Sequence, residues 1–185
     1  VVVVRGSGNP VLAIADKVSS SRVGVHIPGG RDAVADWKQD INAIARGKVP
    51  QQFSVTQALV QKMKDKHGKL YSIECAGHSL GGGACAYAAA NVPGVHGVAI
   101  NPISTGALDT RHAYLIDNYV ISGEIAGVAN AAVAKDLTGW KYQINPQGPA
   151  APSLGKTLVD KHFVNNAING IASELNLQRF ELNDQ

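Results

Sequence analysis

Leu70–Asn91, which reads LYSIECAGHSLGGGACAYAAAN, decides the fold. Leu70–Ala76 predicts a strand, and Leu80–Asn91 predicts a helix of mostly small residues. Between them Gly77-His78-Ser79-Leu80-Gly81 fits G-x-S-x-G. That pattern marks a nucleophile elbow, a strained strand-to-helix turn that projects a serine hydroxyl at the carboxyl edge of a sheet. Side chains two residues before or after the serine would collide in such a turn, which accounts for glycine at 77 and 81. Gly82-Gly83-Ala84 then lets the helix backbone come close to its neighbours. The competing reading is a phosphate loop, because Gly81–Ala86 also fits G-x-G-x-x-A. A dinucleotide site would carry an acidic residue about twenty positions on. Here Ile100 is followed by Asn101-Pro102, with no carboxylate, and the glycine run does not lead into Gly-Lys-Ser/Thr. The elbow is the stronger reading.

Around this centre, short apolar runs alternate with helical patterns, the signature of an α/β fold with a mostly parallel sheet flanked by helices. Val1-Val2-Val3-Val4 reads as a strand buried on both faces and ends at the breakers Arg5-Gly6-Ser7-Gly8-Asn9-Pro10. Val11–Val18 fits a short amphipathic helix, Val23–Ile27 alternates like a strand, and Ala33–Arg46 is a polar helix. Ser54-Val55-Thr56-Gln57 has the capping-box spacing, with Val55, Leu59 and Met63 forming the apolar stripe and Gly68 the stop. Val95–Ile100 and Tyr114–Ser122 predict strands, Asn145–Gly155 a loop, and Phe163–Leu175 the last helix.

The composition sets bounds. The 185 residues carry 17 Lys+Arg against 14 Asp+Glu, a net charge of +3, and 45% apolar residues. That is enough chain for one well-cored domain and too little basic excess for a dedicated nucleic-acid binder. No run of eighteen apolar residues exists, so no membrane-spanning helix is expected. Two cysteines make neither a disulfide scaffold nor a multi-cysteine zinc site, and Cys75 and Cys85 read as small buried hydrophobes rather than a redox pair. The opening valines have neither a Met nor a charged n-region before them. The expectation is therefore a single domain over residues 1–185, a fragment whose upstream residues were cleaved, disordered or carried on another chain.

An elbow serine needs an acid and then a histidine in the chain order Ser, Asp/Glu, His. Of the six histidines, His162 follows a strand, a long loop and several carboxylates, whereas His112 leaves almost no room for an acid before it. His162 is the expected base. For the acid, Glu124 sits just past the carboxyl end of the strand ending near Ser122, where catalytic groups of open α/β sheets gather. Asp117 falls at the opposite end, Asp136 inside a helix-like run, and Asp160 too near His162 to face its ring. The oxyanion donors would be the N–H of Leu80 and that of Ser7, in the turn after the valine strand.

Val1–Ser7 (VVVVRGS), Asp36–Asp40 (DWKQD) and Ala76–Gly83 (AGHSLGGG) resemble the class 3, or fungal-type, lipases. Asn101-Pro102, Tyr119–Ile125 and Lys161–Ile168 look more like that family's bacterial branch of lipase and phospholipase effectors. The resemblance implies an α/β-hydrolase fold and hydrolysis of acylglycerols or phospholipids by a Ser79–His162–Glu124 triad, with Ser7 and Leu80 as oxyanion residues. It implies no metal and no cofactor. The expected partners are a lipid ester substrate, transient contact with a membrane surface, and an upstream segment or an inhibitory or immunity protein. It implies a soluble protein, secreted or delivered by a bacterium. Glu124 departs from the family's usual Asp, and Pro10–Val18 falls where many relatives carry a lid. The competing functions are a thioesterase, acyltransferase or peptidase on the same triad, or a catalytically silent binding module.

Overall fold

The computed structural model describes residues 1–4, 26–27, 44, 46, 48–104, 110–121, 123, 130, 136–144 and 170. They form an α/β fold. Six strands, β1 (Val2–Val4), β2 (His26–Ile27), β3 (Ile73–His78), β4 (Val95–Ile100), β5 (Ile116–Ile121) and β6 (Trp140–Ile144), lie in the order β2-β1-β3-β4-β5-β6. Every neighbouring pair is parallel, so each needs a crossover connection. The crossover from β3 to β4 is helix α2 (Leu80–Asn91), while α1 (Gln51–His67) precedes β3.

Alternation along the strands sets the layers. On β3 and β4 every second residue is buried, placing Ile73, Cys75, Val95 and Ala99 beneath the helices. Helix α2 packs on β3 and β4 and against α1. Ten of its twelve residues are buried, which is why it is apolar on all sides rather than along one stripe. Its alanines let α1 come close, and Phe53 fills the seam with its ring centroid 5.8 Å from that of Tyr87. Phe53 is 1% exposed, so its truncation to Ala would cost about 3–5 kcal/mol.

Helix α2 and strand β4 have the predicted bounds, whereas β3 is shifted along the chain, starting at Ile73 instead of Leu70 and running two residues further, to His78. Helix α1 differs from its prediction. It starts at Gln51 behind Pro50, one turn before the capping-box serine, and has no side-chain cap. Its buried residues are Phe53, Thr56 and Val60, with Leu59 and Met63 flanking them and Val55 exposed. Gly68 does end α1, yet with right-handed angles (φ −66°); its N–H donates to the Lys64 carbonyl at 2.7 Å. The strand predicted from Tyr114 begins at Ile116, because Thr110–Leu115 forms a 3-10 turn.

Cys75 and Cys85 correct a second expectation. They are joined by a disulfide, with Cα atoms 5.2 Å apart, that straps the strand entering the elbow to the helix leaving it. Closing so short a loop restricts the unfolded chain by roughly 2–3 kcal/mol. The helix predicted at Val11–Val18, most of the one at Ala33–Arg46, and the loop Asn145–Gly155 lie outside the described residues, as does all of Phe163–Leu175 except Gly170, which is helical and buried. Among the described residues, no helix is long and apolar enough to cross a membrane.

Candidate functional site

Ser79 sits between the last residue of β3 and the first of α2, with φ 57° and ψ −125°. A non-glycine residue at such angles stores of order 1–3 kcal/mol, so its surroundings must hold it there. They do so through the backbone. The Ser79 N–H donates to the Ile100 carbonyl of β4 at 2.9 Å, and its carbonyl accepts from the N–H groups of Gly83 (3.0 Å) and Ile103 (3.2 Å). Ser79 is 3% exposed, so the serine expected to be the nucleophile is enclosed.

The glycines are there for space. A Cβ at Gly77 would overlap the Gly81 carbonyl, and its distance to the Gly82 nitrogen would be 2.8 Å. A Cβ at Gly83 would run into the Ile103 carbonyl and come within 2.8 Å of the Phe53 ring. Elbow, helix start and the loop after β4 are thus in backbone-to-backbone contact. Leu80, the first residue of α2, is 1% exposed, and its N–H is among the helix-start donors that have no partner within the helix itself. Ser79 and Leu80 are therefore brought together at the carboxyl end of the sheet. Ser7, Glu124 and His162 lie outside the described residues, although Gly123, just before Glu124, takes the left-handed angle (φ 69°) that the turn requires. No Ser–His–Glu triad is assembled among the described residues. The chain's Gly155-Lys156-Thr157, which sequence reasoning passed over, also lies outside them, and Ala150 stands where a mononucleotide loop's first glycine would be.

The loop after β4 carries a polar network that sequence reasoning missed. Asn101 has φ 44° and is fully buried. Its N–H donates to the Tyr119 carbonyl (2.8 Å), and its side-chain Oδ1 accepts from the Ile121 N–H (2.9 Å). Buried Asn130 accepts from the Ser104 N–H at its Oδ1 and donates from Nδ2 to the Pro102 carbonyl, both at 2.9 Å. The only sequence signal was an Asn-Pro pair directly after a strand.

At the other end of the sheet, His96 on β4 lies between two carboxylates, Nδ1 3.1 Å from Glu74 of β3 and Nε2 2.9 Å from Asp117 of β5. Burial works against the charged ring, but hydrogen bonds to Glu74 and Asp117 and their charges outweigh it and raise the His96 pKa above 6.5. Among the described residues, no group of His, Cys, Asp or Glu side chains is arranged to hold a metal ion.

No curated protein matches the chain. A family model does match, and it is not a lipase model, so the lipase resemblance is corrected, together with the phospholipase, triad-lipase and bacterial-effector readings that followed from it. The physical reason lies in the motifs themselves. A crowded elbow demands glycines around its serine, and a doubly covered strand demands β-branched residues, whatever the substrate. Ser79, His162 and Glu124 thus lose the lipid substrate that the resemblance attached to them, and the thioesterase and silent-module alternatives gain no support. What this chain is similar to, over residues 10–101 and so just under half its length, is the Mbeg1-like family.

Proposed function

We propose that this chain is a serine hydrolase of the α/β-hydrolase type that cleaves carboxylic esters through Ser79. The observation that carries the reading is the backbone of Ser79 at φ 57° and ψ −125°, between a parallel strand and a buried helix. A serine kept at such angles by surrounding hydrogen bonds is strain with a use, and acyl transfer is the chemistry that uses it. Ser79 Oγ attacks the ester carbonyl carbon while a histidine base takes its proton. The Leu80 N–H stabilises the tetrahedral oxyanion. The alcohol then leaves with that proton, and water releases the acid from the acyl-serine. The reading concerns the ester bond and the serine and assigns no lipid.

The test is to treat the folded protein with a fluorophosphonate, whose fluoride is displaced by an activated serine. The expected result is an adduct on the peptide containing Ser79, with none at that peptide in Ser79→Ala, and loss of p-nitrophenyl acetate hydrolysis in step. Folded wild-type protein that takes up no label, or is labelled elsewhere, overturns the reading. Replacing the six histidines one at a time identifies the base by the same readout.

A further inference from the structure

We propose that Asn101 is a positioning residue for Ser79, holding the nucleophile through the loop that follows β4. The inference rests on Ser79 being the nucleophile and adds a residue that acts on it from the neighbouring strand.

The β4–β5 ladder pairs Ile100 with Tyr119 and goes no further, because the chain turns at Asn101-Pro102. Had β4 continued, its backbone would have supplied a carbonyl to the next N–H of β5. The Asn101 side chain supplies it instead, its Oδ1 accepting from Ile121 N–H at 2.9 Å while its own N–H still bonds Tyr119. One residue thereby both ends the strand and fixes where the chain leaves it. Its positive φ of 44° is a conformation that asparagine tolerates better than most residues. Two residues on, the Ile103 N–H reaches the Ser79 carbonyl, and the Ile103 carbonyl lies against Gly83 in the first turn of α2. Asn130 secures the far side of the same loop through Pro102 and Ser104.

The Ser79 backbone is strained, and the Ile103 N–H is, with that of Gly83, a donor that holds its carbonyl. A loop free to shift by a fraction of an ångström would let the elbow relax and re-aim the hydroxyl. Fixing that loop is the work of the Asn101 side chain, through the bond its Oδ1 accepts from the Ile121 N–H. Positioning to within an ångström is worth as much as two orders of magnitude in rate.

The experiment compares the second-order rate of fluorophosphonate labelling at Ser79 in the wild type, Asn101→Gly, Asn101→Asp and Asn130→Ala. Each is assayed well below its own Tm, with the folded fraction checked by circular dichroism. Asn101→Gly keeps the left-handed backbone and removes the acceptor; Asn101→Asp keeps the acceptor. The expected result is labelling at least tenfold slower in Asn101→Gly and restored to within threefold of wild type in Asn101→Asp. Should Asn101→Gly fail to fold, Asn130→Ala must show the slowing. Equal labelling rates per folded molecule in wild type and variants overturn the proposal, even with a lower Tm, and leave Ser79 as nucleophile intact. A wild type that does not label brings down both.

Discussion

The two ends of the sheet are built on opposite principles. At the carboxyl end, Ser79, Gly77, Gly83 and Ile103 meet through main-chain atoms, with no room for a Cβ at either glycine. At the amino end, Glu74, His96 and Asp117 meet through charged side chains, and the His96 side chain is 37% exposed. Main-chain contacts do not titrate and do not tolerate substitution. Charged contacts at a wet surface tolerate both and contribute little. The difference teaches where rigidity matters in this molecule, namely around the serine.

The largest expected effect comes from breaking the carboxyl end. Gly83→Ala would be favourable by about 1 kcal/mol for an ordinary exposed helix. Here the new Cβ meets the Ile103 carbonyl, and a net loss of ~2–4 kcal/mol is expected from overpacking backbone on backbone. Thermal unfolding should show Tm falling by roughly 5–10 °C. A rise in Tm would mean that helix propensity outweighs the clash and that the crowding is illusory.

Next in size is the disulfide. Replacing Cys75 and Cys85 together by Ala should remove roughly 2–3 kcal/mol, measurable as a lower denaturation midpoint with an unchanged far-ultraviolet spectrum. An unchanged midpoint would show that the packing around the two sulfur sites, both fully buried, suffices without the bond.

The smallest effect belongs to the amino end. The His96 pKa is raised in the folded protein, so the stability it contributes is fully present below the unfolded value near 6.5 and is lost as pH rises through the folded pKa. His96→Gln should therefore lower Tm most around pH 6 and converge on wild type at alkaline pH, by under about 1 kcal/mol throughout. Labelling of Ser79 should be unchanged in this variant. A large drop in labelling would mean that the two ends are coupled.

The same contrast explains what the sequence made legible. The elbow and its flanking elements could be read because the constraint is local: strand, Gly-x-Ser-x-Gly and small-residue helix lie within twenty-two consecutive residues. The surroundings of Ser79 could not, since Ile103, which bonds its carbonyl, and Asn101 and Asn130, which bond the same loop, come together only in space. The disulfide was missed for a related reason, because ten residues of separation reveal nothing until β3 and α2 are seen to run back to back. The sequence reading assigns no element to Trp140–Ile144. There an edge strand is exposed at four of five residues and shows aromatic and polar side chains in place of an apolar run. It is held to β5 partly by buried Asn118, whose amide donates to the Thr138 and Trp140 carbonyls, and partly by Tyr142 stacked on Tyr119. The stripe on α1 was misread because Val55 looks apolar in isolation, while Thr56, beside it, turns inward.

The strand order carries one more consequence, for how the molecule reaches its fold. Strands β3, β4 and the helix between them come from one continuous run, Ile73–Ile100, so their contacts close short loops. Strand β1 pairs with β3 in the register Val2↔Cys75, across some seventy residues. Closing the longer loop has the larger entropic cost and is repaid only when β3 already offers a formed edge. The elbow unit is thus the seed of the sheet and β1 a late arrival, so substitutions in β1 should chiefly speed unfolding, whereas those in β3 or α2 should slow folding.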